Sequence, residues 1–381
     1  MLKDATTINR VDKNFGILRL YCGSSGQKGY YNLQEVGLAK ALAKRGYSVF
    51  IFLLNSELKK RNEEIVSENI RIVHVPAKNI VNHGFFKCSV LLDYEINILQ
   101  LQSDNQIYAP HVMKFCKKHK INFYNYIGTV FSDSKNYLKR ILMNSFSRRN
   151  IGYFSEHSTF VKTPHVKDQL KTMGVRNIEV LPVGLDFNVI PQVLESKNAL
   201  RKMLGLPIKK KILAFVGRLE EYKQPLDILK LMHKLDDRYF LLLIGKGSLK
   251  EILFSKIREY KLEGRVKYLE AVPNQEMHSY YKAIDCLINM NQHEIFGMSI
   301  LEAMYQECPV VARHAPGPNF IIDNGVTGFL CDDLKTMIKS LEKLDENMGI
   351  QSKERIINIF NWDSTCEKIL KSLTINENVK I

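Results

Sequence analysis

Two glutamates with a glycine between them are the strongest candidates for ligand-binding chemistry in this sequence. Glu294 and Glu302 lie eight residues apart in the segment EIFGMSILEAM, which contains Gly297. Because a glycine can open a helix, we expect Glu294 in the loop after a strand at 286–289 and Glu302 inside the following helix. Carboxylates at this edge of an open α/β sheet can bind the hydroxyls of a sugar or ribose, and N–H groups at 297–299 can bind phosphate. The spacing alone is equally compatible with a solvated Glu302.

A loop with two cations follows the strand expected at residues 211–216. Gly217 and Arg218 begin this loop, and Lys223 lies five residues after Arg218. An arginine can bind a pyrophosphate as a bidentate fork and a lysine can bind it as a point charge. The alternative is a basic loop whose charge is balanced by its own glutamates. The loop APGPN, which contains Gly317, could present backbone amides to a ligand or only turn the chain.

A glycine-rich turn stands between the first expected strand and the first expected helix. Its glycines at 23, 26 and 29 are spaced GxxGxxG, unlike the GxGxxG of dinucleotide-binding proteins, and no Lys-Ser/Thr completes a P-loop. Gly29 could let the backbone approach a ligand closely. A tight turn without a ligand explains the pattern almost as well.

Strand-like and helix-like segments alternate along the 381 residues, which is typical of βα units with parallel sheets. The alternation restarts after the segment LPVGLD at 181–186 and the polar stretch that follows it. We therefore predict an α/β protein with two doubly wound, Rossmann-like parallel-sheet domains that face each other across a cleft.

Positive charge is concentrated in the first half of the chain. Residues 1–190 have a net charge of +12, whereas residues 191–381 have only +3. This half could attract an anionic partner such as acidic lipid, phosphate or nucleic acid, or the charge could simply aid solubility.

The cysteines and the hydropathy indicate a protein that stays in the cytoplasm. The seven cysteines are scattered and form no CxxC pair, which predicts reduced, mostly buried thiols and no structural metal. No apolar run approaches the length of a membrane span, and the first ten residues contain no apolar stretch suited to a signal peptide.

Taken in order, these motifs resemble the retaining GT-B glycosyltransferases of family GT4 (glycosyl transferases group 1), which transfer a sugar from a nucleotide donor. The matching segments are VLPVGLD (180–186), FVGRL (215–219) with Lys223, the E-x7-E pair (294–302), CPVVA (308–312) with Gly317, NGVTGFL (324–330) and FNWD (360–363). The resemblance implies the GT-B fold, with an acceptor-binding domain at 1–187 and a nucleotide-sugar-binding domain at 188–363. It also implies a C-terminal helix at 364–381 that crosses back to the first domain.

The resemblance gives each candidate residue a role. Arg218, Lys223 and Glu294 are the expected catalytic residues: the two cations would neutralise the departing diphosphate, and Glu294 would bind the donor sugar. Glu302 would bind the ribose hydroxyls. Further donor contacts are expected at Gly29, Gly217, Val272, Phe296, Gly297, Met298, Ser299 and Gly317. No metal or other cofactor is implied, because cations and helix N–H groups can stabilise the leaving group.

Several positions depart from the family pattern. No histidine occurs in residues 124–129, where many relatives have one near the reacting sugar. Gln224 stands where glycine is common, Glu270 ends a strand that usually ends in glycine, and Phe320 replaces a frequent glutamate. The identities of the sugar and of the nucleobase therefore stay open.

Residues 135–149 form a basic amphipathic segment. Tyr137, Leu138, Ile141 and Leu142 share one face of the expected helix. Such a helix could lie on an anionic membrane. We favour the alternative of an ordinary domain helix that buries this face in the core.

We predict a metal-independent retaining hexosyltransferase with a nucleotide-diphosphate sugar, expected to be a UDP-sugar, as its donor. The expected acceptor is a cell-surface polysaccharide, glycolipid or other glycan, and the first domain could bring the enzyme to the inner face of the membrane. One alternative is a nucleotide-sugar epimerase on the same fold. Another is a non-enzymatic basic nucleic-acid-binding protein, although no nucleic-acid-binding motif is present and no nucleic-acid partner is expected.

Overall fold

The computed structural model describes residues 13–23, 34–104, 106–132 and 136–378. The predicted contact at Gly29 lies outside these ranges. The chain divides into two compact units, one formed by Met1–Gly184 with Trp362–Ile381 and the other by Leu185–Asn361.

The first unit contains an eight-stranded sheet and a two-stranded hairpin. Its strands are β1 (Asn14–Arg19), β2 (Ser48–Asn55), β3 (Asn62–Ser67), β4 (Ile70–Pro76), β5 (Lys78–Ile80), β6 (His83–Phe85), β7 (Ile98–Gln102), β8 (Asn122–Ile127), β9 (Thr159–Val161) and β10 (Ile178–Val180). Its first helices are α1 (Gln34–Ala43), α2 (Val90–Asp93), α3 (Ala109–Lys118), α4 (Tyr137–Phe154) and α5 (Pro164–Thr172). The sheet order is β10-β9-β8-β7-β1-β2-β4-β3, and only the β3–β4 pair is antiparallel. The hairpin pairs β5 with β6.

The second unit contains a six-stranded parallel sheet. Its strands are β11 (Lys211–Val216), β12 (Tyr239–Ile244), β13 (Val266–Leu269), β14 (Cys286–Asn289), β15 (Val310–Arg313) and β16 (Gly328–Cys331). Its helices are α6 (Lys197–Met203), α7 (Pro225–Lys234), α8 (Lys250–Glu259), α9 (Asn274–Ala283), α10 (Met298–Tyr305), α11 (Pro316–Ile321), α12 (Leu334–Leu341) and α13 (Glu346–Ile359), with 3₁₀ turns at Glu221–Lys223 and Glu263–Arg265. The central strands are apolar on both faces because helices cover the sheet on both sides. The predicted α/β class with two Rossmann-like parallel-sheet domains is confirmed.

The strands of the second sheet lie in the order β13-β12-β11-β14-β15-β16. From β11 the chain adds strands towards one edge, and from β14 it adds them towards the other edge, so the strand order reverses between β11 and β14. Loops that leave the carboxyl ends of two such strands diverge and form a crevice in which ligands bind. The loop with Gly217 follows β11 and the loop with Glu294 follows β14. The topology therefore places two of the predicted segments side by side.

The last helix, α14 (Trp362–Asn378), packs within the first unit. A Cβ atom at Gly37 of α1 would lie 2.1 Å from Nε1 of Trp362, so the absence of a side chain there allows this contact. Arg45 Nη1 lies 3.0 Å from a carboxylate oxygen of Asp363, and the Thr365 hydroxyl donates to the Pro182 oxygen at 3.1 Å.

The favoured interpretation of residues 135–149 is wrong, because the apolar face of α4 is not buried in the core. Tyr137, Leu138, Ile141 and Leu142 are 49% to 76% exposed. The opposite face of α4 packs into the unit, and its buried residues are Ser147, Asn150, Ile151 and Phe154. Among the described residues, no helix combines the length and the apolar character of a membrane span. All seven cysteines are buried, in agreement with the predicted burial of most of them.

Candidate functional site

Lys223 and Glu294 form an ion pair at the carboxyl ends of β11 and β14, where the strand order of the second sheet reverses. Lys223 Nζ lies 2.5 Å from Glu294 Oε2, and the Asn291 side chain donates to the same oxygen at 3.2 Å. The side chains of Lys223 and Glu294 are 24% and 13% exposed, so the pair is partly shielded and still open to a ligand. An ammonium group beside a carboxylate can bind an anionic oxygen and a hydroxyl group of one ligand.

Asn291, which the sequence analysis missed, shapes the loop that carries Glu294. Its side-chain oxygen accepts a hydrogen bond from the His293 N–H at 2.9 Å, and its own N–H donates to the Asn289 side chain at 2.9 Å. These are the local turns that asparagine side chains form with the backbone. The run NMNQHE has two asparagines at the end of a buried strand, and this pattern could have indicated the turn that carries Glu294.

The ring of Tyr222 lies close to both predicted cations. The Arg218 guanidinium carbon is 5.3 Å and Lys223 Nζ is 5.6 Å from the centre of its ring. Cations at this distance from an aromatic face are attracted to it. Partial burial raises the pKa of the Tyr222 hydroxyl, and nearby Arg218 opposes this change. Tyr222 therefore helps to hold Arg218, which is exposed at the loop surface.

Gly297 opens α10 as the sequence predicted. Its φ of +102° lies in the left-handed region, which favours glycine. Met298 and Ser299 form the first turn of α10, where backbone N–H groups have no acceptor within the helix. These N–H groups lie at the positive end of the helix and suit a phosphate.

Gly317 joins the start of α11 to the loop of Glu294. Its N–H donates to the Glu294 backbone oxygen at 2.8 Å, and a Cβ atom at this position would lie 2.0 Å from the Phe296 backbone oxygen. The Phe296 ring is 6% exposed and packs against Phe360 with 6.2 Å between ring centres. Phe320 also packs against Phe360, at 5.3 Å. The rings of Phe296 and Phe320 therefore both pack against Phe360, beneath the loop that carries Glu294.

Glu302 is buried inside α10, so its interpretation as a solvated helix residue is wrong. Only 4% of the residue is exposed, and the Tyr281 hydroxyl donates to its Oε2 at 3.1 Å. Burial raises the pKa of the Glu302 carboxyl to about 7, while the hydrogen bond from Tyr281 acts in the opposite direction. The carboxyl therefore changes its charge near neutral pH. Tyr281 was missed, although a buried tyrosine hydroxyl usually requires a partner.

Of the remaining predicted contacts, one lies beside this crevice and the other lies further along the same sheet. Gly217 directly follows β11 and is half-buried, whereas Val272 follows β13 and is separated from β11 by β12. Glu270 is exposed and pairs with Lys250 at 3.0 Å. Within the described residues, no group of three or more His, Cys, Asp and Glu side chains is arranged to hold a metal ion.

Gln224 has an unusual backbone conformation directly after Lys223. Its φ of +52° and ψ of +47° are left-handed, a conformation that favours glycine. The side-chain oxygen of Gln224 is buried and has no hydrogen-bond partner among the residues that the structure describes.

Comparisons with known proteins bear on the family and the fold of this chain. Residues 196–362 match the family of glycosyl transferases group 1. The D-inositol 3-phosphate glycosyltransferase of Corynebacterium diphtheriae is 24% identical over an alignment of 397 residues. The alignment covers 91% of this chain and 89% of the relative.

Two solved structures have the same fold over nearly their whole length. Sucrose-phosphate synthase from Thermosynechococcus elongatus is 16% identical, with a TM-score of 0.76 and coverage of 96% of this chain and 100% of that chain. The chain has the GT-B glycosyltransferase fold. Anabaena HepE in complex with UDP and glucose is 16% identical, with a TM-score of 0.69 and coverage of 95% and 99%. Together the comparisons support a glycosyltransferase, and all but the last residue of the segment that matches group 1 lies in the second unit.

Proposed function

We propose that this GT-B protein is a retaining, metal-independent hexosyltransferase of family GT4 that uses a nucleotide-diphosphate sugar. The observation that carries the proposal is the Lys223–Glu294 ion pair between the carboxyl ends of β11 and β14. The first turn of α10 begins four residues after Glu294 and contributes free N–H groups. A cation, a carboxylate and a helix N-terminus together suit a sugar attached to a diphosphate.

The residues divide the work of transfer between them. Lys223 and Arg218 neutralise the charge that develops on the departing diphosphate, and the N–H groups of Met298 and Ser299 add to this stabilisation. Glu294 accepts hydrogen bonds from hydroxyls of the donor sugar, and Glu302 accepts them from the ribose. The two cations and the helix N–H groups supply fixed positive charge at the leaving group, so the proposed reaction needs no metal ion.

We propose UDP as the nucleotide, because the fold neighbour HepE was solved with UDP and glucose. The proposed acceptor is a cell-surface polysaccharide, glycolipid or other glycan, held by the first unit. The place of action is the cytoplasm, including the inner face of the membrane.

Ligand-dependent thermal unfolding tests the donor site. UDP, GDP, ADP and NAD are each added with and without EDTA, because a ligand at about 100 times its Kd stabilises the native state by roughly 2.7 kcal/mol. We expect UDP to raise Tm equally in both buffers. A shift that EDTA abolishes would contradict metal independence, and no shift with any nucleotide would contradict the donor site. In a separate reaction without an acceptor, isomerisation of the nucleotide-sugar donor would instead favour an epimerase.

The exposed face of α4 supports the membrane part of the proposal. Tyr137, Leu138, Ile141 and Leu142 project from its first two turns, and Arg148 lies further along the same exposed side. The helix sequence YLKRILMNSFSRRNIGYF contains four basic residues and no acidic residue. Exposed apolar side chains beside positive charge suit an anionic bilayer surface.

Flotation with lipid vesicles tests this surface. We expect the protein to float with vesicles that contain phosphatidylglycerol and not with pure phosphatidylcholine, and the variant L138S/I141S/L142S to lose binding. The control V189S/L194S/M203S removes three exposed apolar side chains from the second unit and should bind as the wild type does. Equal flotation of both variants would contradict a role of α4.

A further inference from the structure

Two buried polar contacts connect α9 with α10. The Tyr281 hydroxyl donates to Glu302 Oε2 at 3.1 Å, and the Gln306 side-chain nitrogen lies 3.1 Å from Nδ1 of His278. His278 and Tyr281 are one turn apart on α9, and Glu302 and Gln306 are one turn apart along α10 and its C-terminal cap. All four residues are less than a tenth exposed. The two contacts therefore set the register of one helix against the other.

The contact between His278 and Gln306 is a neutral one. Burial lowers the pKa of His278 to about 4, so the imidazole is uncharged at neutral pH. Its Nδ1 then accepts the hydrogen bond from the Gln306 amide. His278 consequently supports the helix pair and adds no charge near Glu302.

We propose that Tyr281 is a positioning residue for the nucleotide donor, which holds the Glu302 carboxylate in the orientation and charge state that accept hydrogen bonds from the ribose. This inference rests on the proposed function. Its geometric basis is the hydrogen bond that the Tyr281 hydroxyl of α9 donates to the buried carboxylate of Glu302 in α10.

The hydroxyl of Tyr281 opposes the effect of burial on Glu302. Burial favours the protonated carboxyl, whose OH is a hydrogen-bond donor, whereas a phenol that donates to the carboxylate favours the charged form. Other charged or titratable groups on neighbouring elements have separate partners: His278 pairs with Gln306, Lys282 and Lys353 with Glu307, and Arg355 with the backbone oxygens of Phe320 and Ile321. Tyr281 is thus the group that acts directly on Glu302.

The test measures the Kd of UDP by calorimetry between pH 6 and 9 for the wild type and for Tyr281→Phe. We expect wild-type affinity to increase as pH rises through about 7, because Glu302 becomes ionised. If the loss of the hydroxyl raises the pKa by about one unit, the ionised fraction at pH 7 falls from about one half to about one tenth, so the variant should bind about fivefold more weakly at pH 7 and recover by pH 9. The matched control Tyr280→Phe removes the neighbouring hydroxyl, which is half-buried, and should behave as the wild type does.

A double variant separates a local effect on Glu302 from general damage. Tyr281→Phe combined with Glu302→Gln should bind UDP as weakly as Glu302→Gln alone, without the pH dependence, because the two residues act through one contact. Wild-type affinity in Tyr281→Phe at every pH, or a loss that is the same at every pH, would overturn the inference. If the wild type does not bind UDP at all, the proposed function fails and this inference fails with it.

Discussion

The backbone N–H of Gly317 donates a hydrogen bond to the backbone oxygen of Glu294 at 2.8 Å, so the start of α11 and the loop after β14 are joined directly. A Cβ atom at residue 317 would lie 2.0 Å from the Phe296 backbone oxygen, and neither atom could rotate away. The position of Glu294, which follows β14, therefore depends on the absence of a side chain at Gly317, which follows the neighbouring strand β15.

Gly317→Ala should displace the Glu294 loop. We expect the free energy of unfolding to fall by about 2 kcal/mol, a usual size for overpacking, and the affinity for UDP to fall as well. Chemical denaturation and calorimetry measure the two effects. Gly264→Ala is the matched control, because a Cβ atom there meets nothing within 4 Å. Equal stability of the two variants would contradict the packing argument.

Glu302→Gln should make stability less dependent on pH in the ligand-free protein. The pKa of Glu302 is raised from 4.5 to about 7, so the native state binds a proton more tightly than the unfolded chain. This contribution to stability is complete below pH 4.5 and is lost as pH rises through 7, which amounts to about 3 kcal/mol. Urea denaturation at pH 5 and pH 8 should show a smaller difference for the variant. Replacement of the exposed Glu263 by Gln should leave the wild-type difference in place.

Lys223→Met should reduce turnover with UDP-sugar by about 100- to 1,000-fold, the usual loss when one preorganised charge-stabilising donor is removed. The fold should persist, because the Lys223 side chain lies in a surface crevice rather than in the core. Steady-state kinetics and circular dichroism measure the two properties. Lys230→Met is the control, since Lys230 forms an exposed ion pair with Asp227 at 2.8 Å. A folded variant with normal turnover would remove Lys223 from the mechanism.

The strands of the second sheet were predictable because buried parallel strands are continuous apolar runs between polar loops. The bounds of β11 and β14 match the predicted segments. The burial of Glu302 was also predictable, from the residues around it rather than from its spacing to Glu294. Apolar residues surround it on both sides in the run SILEAMY, and a helix that is apolar all round is buried.

Contacts between elements were harder to predict than the elements themselves. The hydrogen bond from Tyr281 to Glu302 depends on the register of α9 against α10, which periodicity within one helix does not give. The same limit explains the error on α4. The pattern showed which apolar residues share a face, but a pattern within one helix does not determine which face other elements cover.

Gln224→Gly should stabilise the protein by about 1 kcal/mol. Two costs are removed together: the left-handed backbone at φ +52°, which disfavours any side chain, and the buried side-chain oxygen without a partner. The flexibility of glycine in the unfolded chain offsets part of this gain. Lys261→Gly provides the control, since Lys261 is also left-handed, at φ +53°, but is exposed. Thermal denaturation should therefore show a larger increase in Tm for Gln224→Gly, and the excess measures the effect of the buried oxygen. An equal increase in both variants would assign the whole effect to the backbone.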